Sequence, residues 1–237
     1  MDALWLQIVQ WLHTVGLHVD AGTAQAVADG AARATQQLDM PSLLALAAVL
    51  GWASGVRLYA VVFIVGLMGV AGWFPLPPGL AVLQHPIVLT ASGCMLLVEF
   101  FADKVPWLDS AWDAVHAFIR VPAGALLAAG VFGADNATMA VAAGLMGGSL
   151  SATALATKMT TRAAANTSPE PFSNWGLSFL EDGLVVGMVW LATNHPVLFA
   201  VVLVAVLIVS VLLLVVLFKF LRAVVRRLSS FFSPKVA

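Results

Sequence analysis

From residue 197 to residue 218 the chain runs 22 positions with no charged side chain and no glycine. A helix needs roughly 20 mostly apolar residues to cross the hydrocarbon core of a bilayer. Within that core every backbone polar group has to be bonded inside the protein, which leaves helices or a closed barrel. The segment is rich in Val and Leu and has helical length, so it predicts a lipid-facing helix and an all-α, polytopic membrane protein. The rest of the composition agrees. The chain is 61% hydrophobic and 10% charged, with a mean hydropathy of +0.98. A soluble domain carries roughly 25% charged residues. A soluble globular protein and a disordered chain are therefore excluded, and a net charge of -1 offers no field for a nucleic acid. The single cysteine, Cys94, excludes a disulfide framework. The N-terminus shows no basic region followed by an early apolar run, so no cleavable signal is expected.

Six spans are expected, over residues 41–73, 86–103, 112–132, 138–158, 172–192 and 196–218. The first is longer than a bilayer core and must tilt, bend or break. The third has a clean apolar part of only 121–133, preceded by Asp113, His116 and Arg120. Residues 1–40 read as an amphipathic N-terminal segment at the interface, with Leu4, Ile8, Trp11, Leu12 and Val15 at helical spacing. Residues 41–220 form the bundle and 221–237 a basic tail. Lys104 after the second span, Lys158 and Arg162 at and after the end of the fourth, and Arg222, Arg226, Arg227 and Lys235 after the last fall on one side of an even-numbered bundle. By the positive-inside rule that side is cytoplasmic, so both termini are expected inside a bacterial inner membrane.

Gly51-Trp-Ala-Ser54-Gly55-Val-Arg57 can be laid on Gly144-Leu-Met-Gly147-Gly148-Ser149-Leu150. This places small residues at mid-span in the first and fourth helices. Units 41–133 and 138–220 would each hold three helices and lie in opposite orientations. Inverted repeats with broken helices mark secondary transporters.

Charges inside spans cost roughly 2.5–3.5 kcal/mol each at the bilayer centre, so their positions carry most of the functional signal. Glu99 and Asp103 share a face of the second span, one turn apart. Glu181 and Asp182 lie about ten residues into the fifth. Arg57 sits mid-span in the first, and a buried Arg needs a carboxylate partner, with Glu99 or Glu181 as candidates. Ser54, Ser149, Asn174 and Ser178 complete the candidate solute- or ion-binding set. Lys104, Asp109, Asp113, His116 and Arg120 form a second polar cluster. Asp109, Asp113, His116 and Arg120 follow one another at spacings of four, three and four, which puts them on one helical face. Such a stripe is read as a solvated, salt-bridged face before a metal site, and no metal or other cofactor is expected.

Phe101-Ala-Asp103-Lys104-Val-Pro106-Trp-Leu-Asp109-Ser-Ala-Trp112-Asp113-Ala-Val-His116-Ala-Phe118-Ile119-Arg120-Val-Pro122-Ala-Gly124-Ala resembles the signature of an uncharacterised bacterial membrane family, domain of unknown function 4126. Asn174-x3-Ser178-x2-Glu181-Asp182 is similar to that family's second acidic motif. The likeness covers roughly residues 43–207. Arg57 departs from the family pattern, which has Asn in the first-helix motif. The resemblance implies a multi-span inner-membrane protein with two acidic motifs, and no activity.

The expected function is non-enzymatic: passage of a small polar or ionic solute through a transporter or channel, coupled to a proton or cation. The alternatives are a scaffold or lipid-binding protein, and a metal-dependent lipid enzyme using Asp109, Asp113 and His116. Membrane lipids, the solute and a second copy of the chain are the expected partners.

Overall fold

The structure is a computed structural model and describes residues 38–133, 136–167 and 172–232. The expected amphipathic segment at 1–40 lies outside it except for its last three residues, as does Lys235. The described residues form helices throughout: α1 (Met40–Val70), a 3-10 helix (Pro78–Gln84), α2 (Pro86–Ala102), α3 (Pro106–Gly130), α4 (Ala137–Ala165), α5 (Phe172–Asn194) and α6 (Pro196–Phe232). Proline sets several starts, because its missing N–H costs nothing in the first turn. Pro41, Pro86 and Pro106 occupy first-turn positions of α1, α2 and α3. Side chains cap the freed donors. Asp39 accepts from Ser42 N at 3.1 Å, and Asn136 accepts from Met139 N at 3.2 Å.

By length and composition, α1, α4, α5 and α6 (to Ala223) can each cross a membrane, and the 3-10 helix with α2, bent by 66°, makes a fifth candidate. The expected six is thus four to five. The expected third span is present as α3, but Asp109, Asp113 and Arg120 keep it from being apolar enough.

Every residue of α1 from Ala45 to Leu58 is buried. A helix apolar all round belongs at the centre of a bundle, and α1 is packed by α3, α4, α5 and α6. Glycines let the backbones meet. A methyl group on Gly51 would overlap the Gly147 backbone, one on Gly55 the Ser151 carbonyl, and one on Gly124 the Ser151 side chain. The last helix lies at the edge of the bundle with one face outward. Phe199 and Leu203 are buried against the bundle, while Val211, Leu212 and Val216 are exposed.

Arg57 breaks α1, with φ -147° and ψ 79° inside otherwise helical backbone. Before the break α1 runs the same way as α4, since Gly51, Gly55 and Val56 meet Gly147, Ser151 and Lys158 in order. After it, Phe63 faces Gly93 and Gly66 lies against Leu83 and Leu89. The 3-10 helix then abuts Gly130, the last residue of α3, through Gly79. Both arms of α1 therefore lie on the same side of Arg57, which is the tip of a helical hairpin inside the bundle.

The first arm of α1 and α4 run in the same direction, with Gly51 against the Gly147 backbone. Met40 lies at the end where α2, α4 and α6 begin.

Candidate functional site

Five helices converge on the tip at Arg57. α1 brings Arg57, and α2 brings Glu99 with Asp103 as its C-cap. α3 brings Asp109, Asp113 and Arg120, α4 brings Lys158 and Arg162, and α5 brings Asn174, Ser178, Glu181 and Asp182. Six carboxylates thus face four cations, and all but Asp182 are buried.

The break in α1 is built into this network. Ser54 Oγ bonds back to its own helix at the Leu50 carbonyl, a contact that tends to bend a helix. Lys158 Nζ donates to the Val56 carbonyl at 3.3 Å, placing a cation at the C-terminal end of the first arm, where the helix dipole favours one.

On the α3 side Arg120 is clamped. Its Nη2 donates to Glu99 Oε1, and its Nη1 donates to Asp113 Oδ1 at 2.7 Å. All three side chains are essentially unexposed. The Arg120 carbonyl accepts from Ser151 Oγ at 3.0 Å, which ties α3 to α4.

On the α5 side the pairs are shared. Arg57 lies 2.6 Å from Asp103, 3.0 Å from Asp182 and 3.5 Å from Glu181. It also donates to Ser178 Oγ at 2.9 Å. Arg162 donates to Glu181 through Nε at 3.0 Å and Nη2 at 2.8 Å. Asp182 is 29% exposed and Glu181 11%. Lys158 bridges the two sides, 3.1 Å from Asp113, 3.6 Å from Glu99, 3.7 Å from Glu181 and 3.9 Å from Asp103.

Several buried polar atoms have no hydrogen-bond partner: Glu99 Oε2, Asp103 Oδ1, both oxygens of Asp109, Asp113 Oδ2, Asn174 Oδ1 and Arg57 Nη1. Asp109 stands in the first turn of α3, ahead of that helix's apolar part and outside the candidate spans. Burial pushes its carboxyl up to about 7, against the pull of Arg162. A polar chain covers this end. Asn174 Nδ2 donates to Asn166 Oδ1 at 2.7 Å, and Asn166 Nδ2 donates to Ser110 Oγ at 3.1 Å.

Seven of the nine expected binding residues meet here or line the break: Arg57, Glu99, Asp103, Asn174, Ser178, Glu181 and Asp182, with Ser54 just behind them. Ser149 does not. It is exposed on α4 and bonds to its own Leu145 carbonyl at 2.8 Å. Glu181 is a partner of Arg57, but Glu99 belongs to Arg120. The second cluster is not separate and its stripe is not solvated, because Asp109, Asp113 and Arg120 turn into the same network. Lys104 turns away, its Nζ lying over the Phe100 ring and donating to the Phe100 carbonyl. His116 is stacked on Trp112 and edge-on to Tyr59. Among the described residues no three His, Cys, Asp or Glu side chains are placed to hold a metal ion.

Sequence reasoning missed Lys158 and Arg162, which it put at and after the end of the fourth span as residues that set orientation. Both lie inside α4 and are buried. Their spacing was the available signal. Gly147, Ser151, Leu155, Lys158 and Arg162 fall at intervals of four, four, three and four, on one helical face.

A family model described as Domain of unknown function (DUF4126) matches residues 44–216. No curated protein and no solved structure matches the chain.

Proposed function

We propose, from the premise that this chain belongs to the DUF4126 family, that it is a secondary transporter or channel for a small cationic or polar solute. The observation that carries this reading is the surplus of charge at the break in α1. Six buried or half-buried carboxylates stand against four cations there, drawn from five helices. Ionisable groups placed within spans at such cost usually mark an ion or proton path. A broken helix whose tip sits in the site is the form such paths take. Arg57, Asp103, Glu181 and Asp182 are the solute-facing groups, and Lys158 shifts between the carboxylates around it. The chain is not an enzyme in this reading.

In this reading α4, α5, α6 and the 3-10 helix with α2 cross the membrane, and α1 enters and leaves from one side. By the positive-inside rule, Arg222 and Arg226 support a reading in which the C-terminal end of α6 faces the cytoplasm from a bacterial inner membrane. That basic end also contacts anionic lipid.

The test is flux. The purified chain in liposomes is challenged with an inward sodium or potassium gradient, with a pH-sensitive dye inside. Ion or proton movement well above that of empty liposomes is expected. Movement equal to empty liposomes for protons, sodium and potassium alike would leave the ion network a scaffold. The tight Arg120–Glu99–Asp113 clamp favours that second reading for its own part of the site.

A further inference from the structure

We propose that Asp109 is an exchangeable proton site, and that its protonation decides whether Arg162 holds Glu181. The proposal deepens the transport reading, which gives the switch its purpose, but the groups involved are fixed by geometry alone.

Asp109 is wholly buried and neither of its oxygens accepts a hydrogen bond. An ionised carboxylate kept like that is costly, since burial removes its water and nothing replaces it. The groups that face it come from three elements. Asp103 approaches from the end of α2, and Asp113 follows one turn on in α3. Arg162 and Lys158 come from α4, and Arg162 Nη1 is the nearest cation at 3.7 Å. Two of these neighbours are themselves acids, so a proton on Asp109 relieves both its own burial and their repulsion.

Arg162 is the element that can answer. Its Nε and Nη2 hold Glu181, and Nη2 also reaches Asp103 Oδ2 at 3.4 Å. Its Nη1 donates only to two backbone carbonyls, Asp103 at 3.2 Å and Asn174 at 3.3 Å, and to no side chain. With Asp109 neutral, the one other carboxylate on Arg162 is Asp103, 3.4 Å from Nη2, a longer contact than the two to Glu181. When Asp109 gives its proton to water at the α3 start, a full negative charge stands 3.7 Å from Nη1. A shift of about 1 Å brings the two into hydrogen-bond range. That shift pulls the guanidinium off Glu181 and leaves this carboxylate to Arg57, at 3.5 Å, to Lys158, at 3.7 Å, and to an arriving cation. The exit for the proton is short. Ser110, the next residue, is exposed and bonded to Asn166, and Asn166 holds Asn174 beside Arg162.

Infrared difference spectra of the purified chain, taken between about pH 5 and about pH 9, read the protonated carboxyl band directly. The expected result is one aspartate-type band that fades through neutral pH and is absent in Asp109→Asn, while Asp113→Asn keeps it. Aspartate labelled with carbon-13 in the unmodified chain shifts the same band, so the reading survives if the variant fails to fold. A spectrum with no aspartate band titrating in that range overturns the proposal, as does a band that persists unchanged in folded Asp109→Asn. The outcomes separate the two claims. A titrating Asp109 band in a chain with no flux keeps the switch and removes transport. Flux without that band does the reverse.

Discussion

The two sides of the ion network use the same residue types to opposite ends. On the α3 side one arginine, Arg120, is matched to two carboxylates at short range, all unexposed, with a serine from α4 fixing its backbone. On the α5 side Arg57 and Arg162 share Asp103 and Glu181 between them, and Asp182 is 29% exposed. The first arrangement is closed. The second has more possible pairings than it uses, so a pairing can change without leaving a charge alone. This difference separates a clamp from a site, even though Lys158 joins them.

The comparison is sharpened first by breaking the clamp. Arg120→Ala leaves Glu99 and Asp113 buried and without their main partner, which costs about 3–5 kcal/mol. Thermal unfolding in detergent should show the largest fall of any single substitution in the network. A shift no larger than that of Asp182→Asn would erase the distinction between the sides. The next largest effect is at the helix crossing. Gly51→Val drives a branched side chain into the Gly147 backbone, an overpacking that costs about 1–3 kcal/mol or more. Its unfolding midpoint should fall clearly, while Gly176→Ala, where a Cβ meets nothing, leaves it in place. On the α5 side Asp182→Asn should change unfolding little and lower flux only in part, because this carboxylate is the least buried of the network. The smallest effect is outside the network altogether. Asp39→Ala removes the cap at the start of α1. The bond to Ser42 holds this carboxyl below its ordinary range, so the cap contributes at neutral pH and fades as pH falls through that lowered value. A slight loss of stability at neutral pH that closes at low pH is expected by the same unfolding measurement.

Much of this was legible in the sequence, for a physical reason. A charge in an apolar run is conspicuous, so Arg57, Glu99, Asp103, Glu181 and Asp182 stood out and proved to be neighbours. The uncharged run at 197–218 gave α6 just as directly. What failed was depth. Lys158 and Arg162 end an apolar stretch, and a rule about loops places such residues in water, whereas α4 continues as helix to Ala165 and carries them inward. The stripe from Asp109 to Arg120 had the right spacing but no sign of which way it faced. The direction came from α4, whose cations meet it. The break at Arg57 could be expected from the length of its segment and from Ser54-Gly55. That the chain turns back there is a property of packing against α2 and α4, which local sequence does not encode.

The most direct test of the division is flux measured per folded molecule for Glu181→Gln in liposomes. A neutral side chain of the same shape keeps one acceptor oxygen for Arg162, replaces the other with an NH2 donor, and removes the charge that an arriving cation would meet. The account predicts an unfolding midpoint close to that of the unmodified chain and a loss of flux of at least about tenfold, equivalent to about 1.4 kcal/mol of lost stabilisation along the path. Flux equal to that of the unmodified chain from a folded Glu181→Gln protein would contradict it.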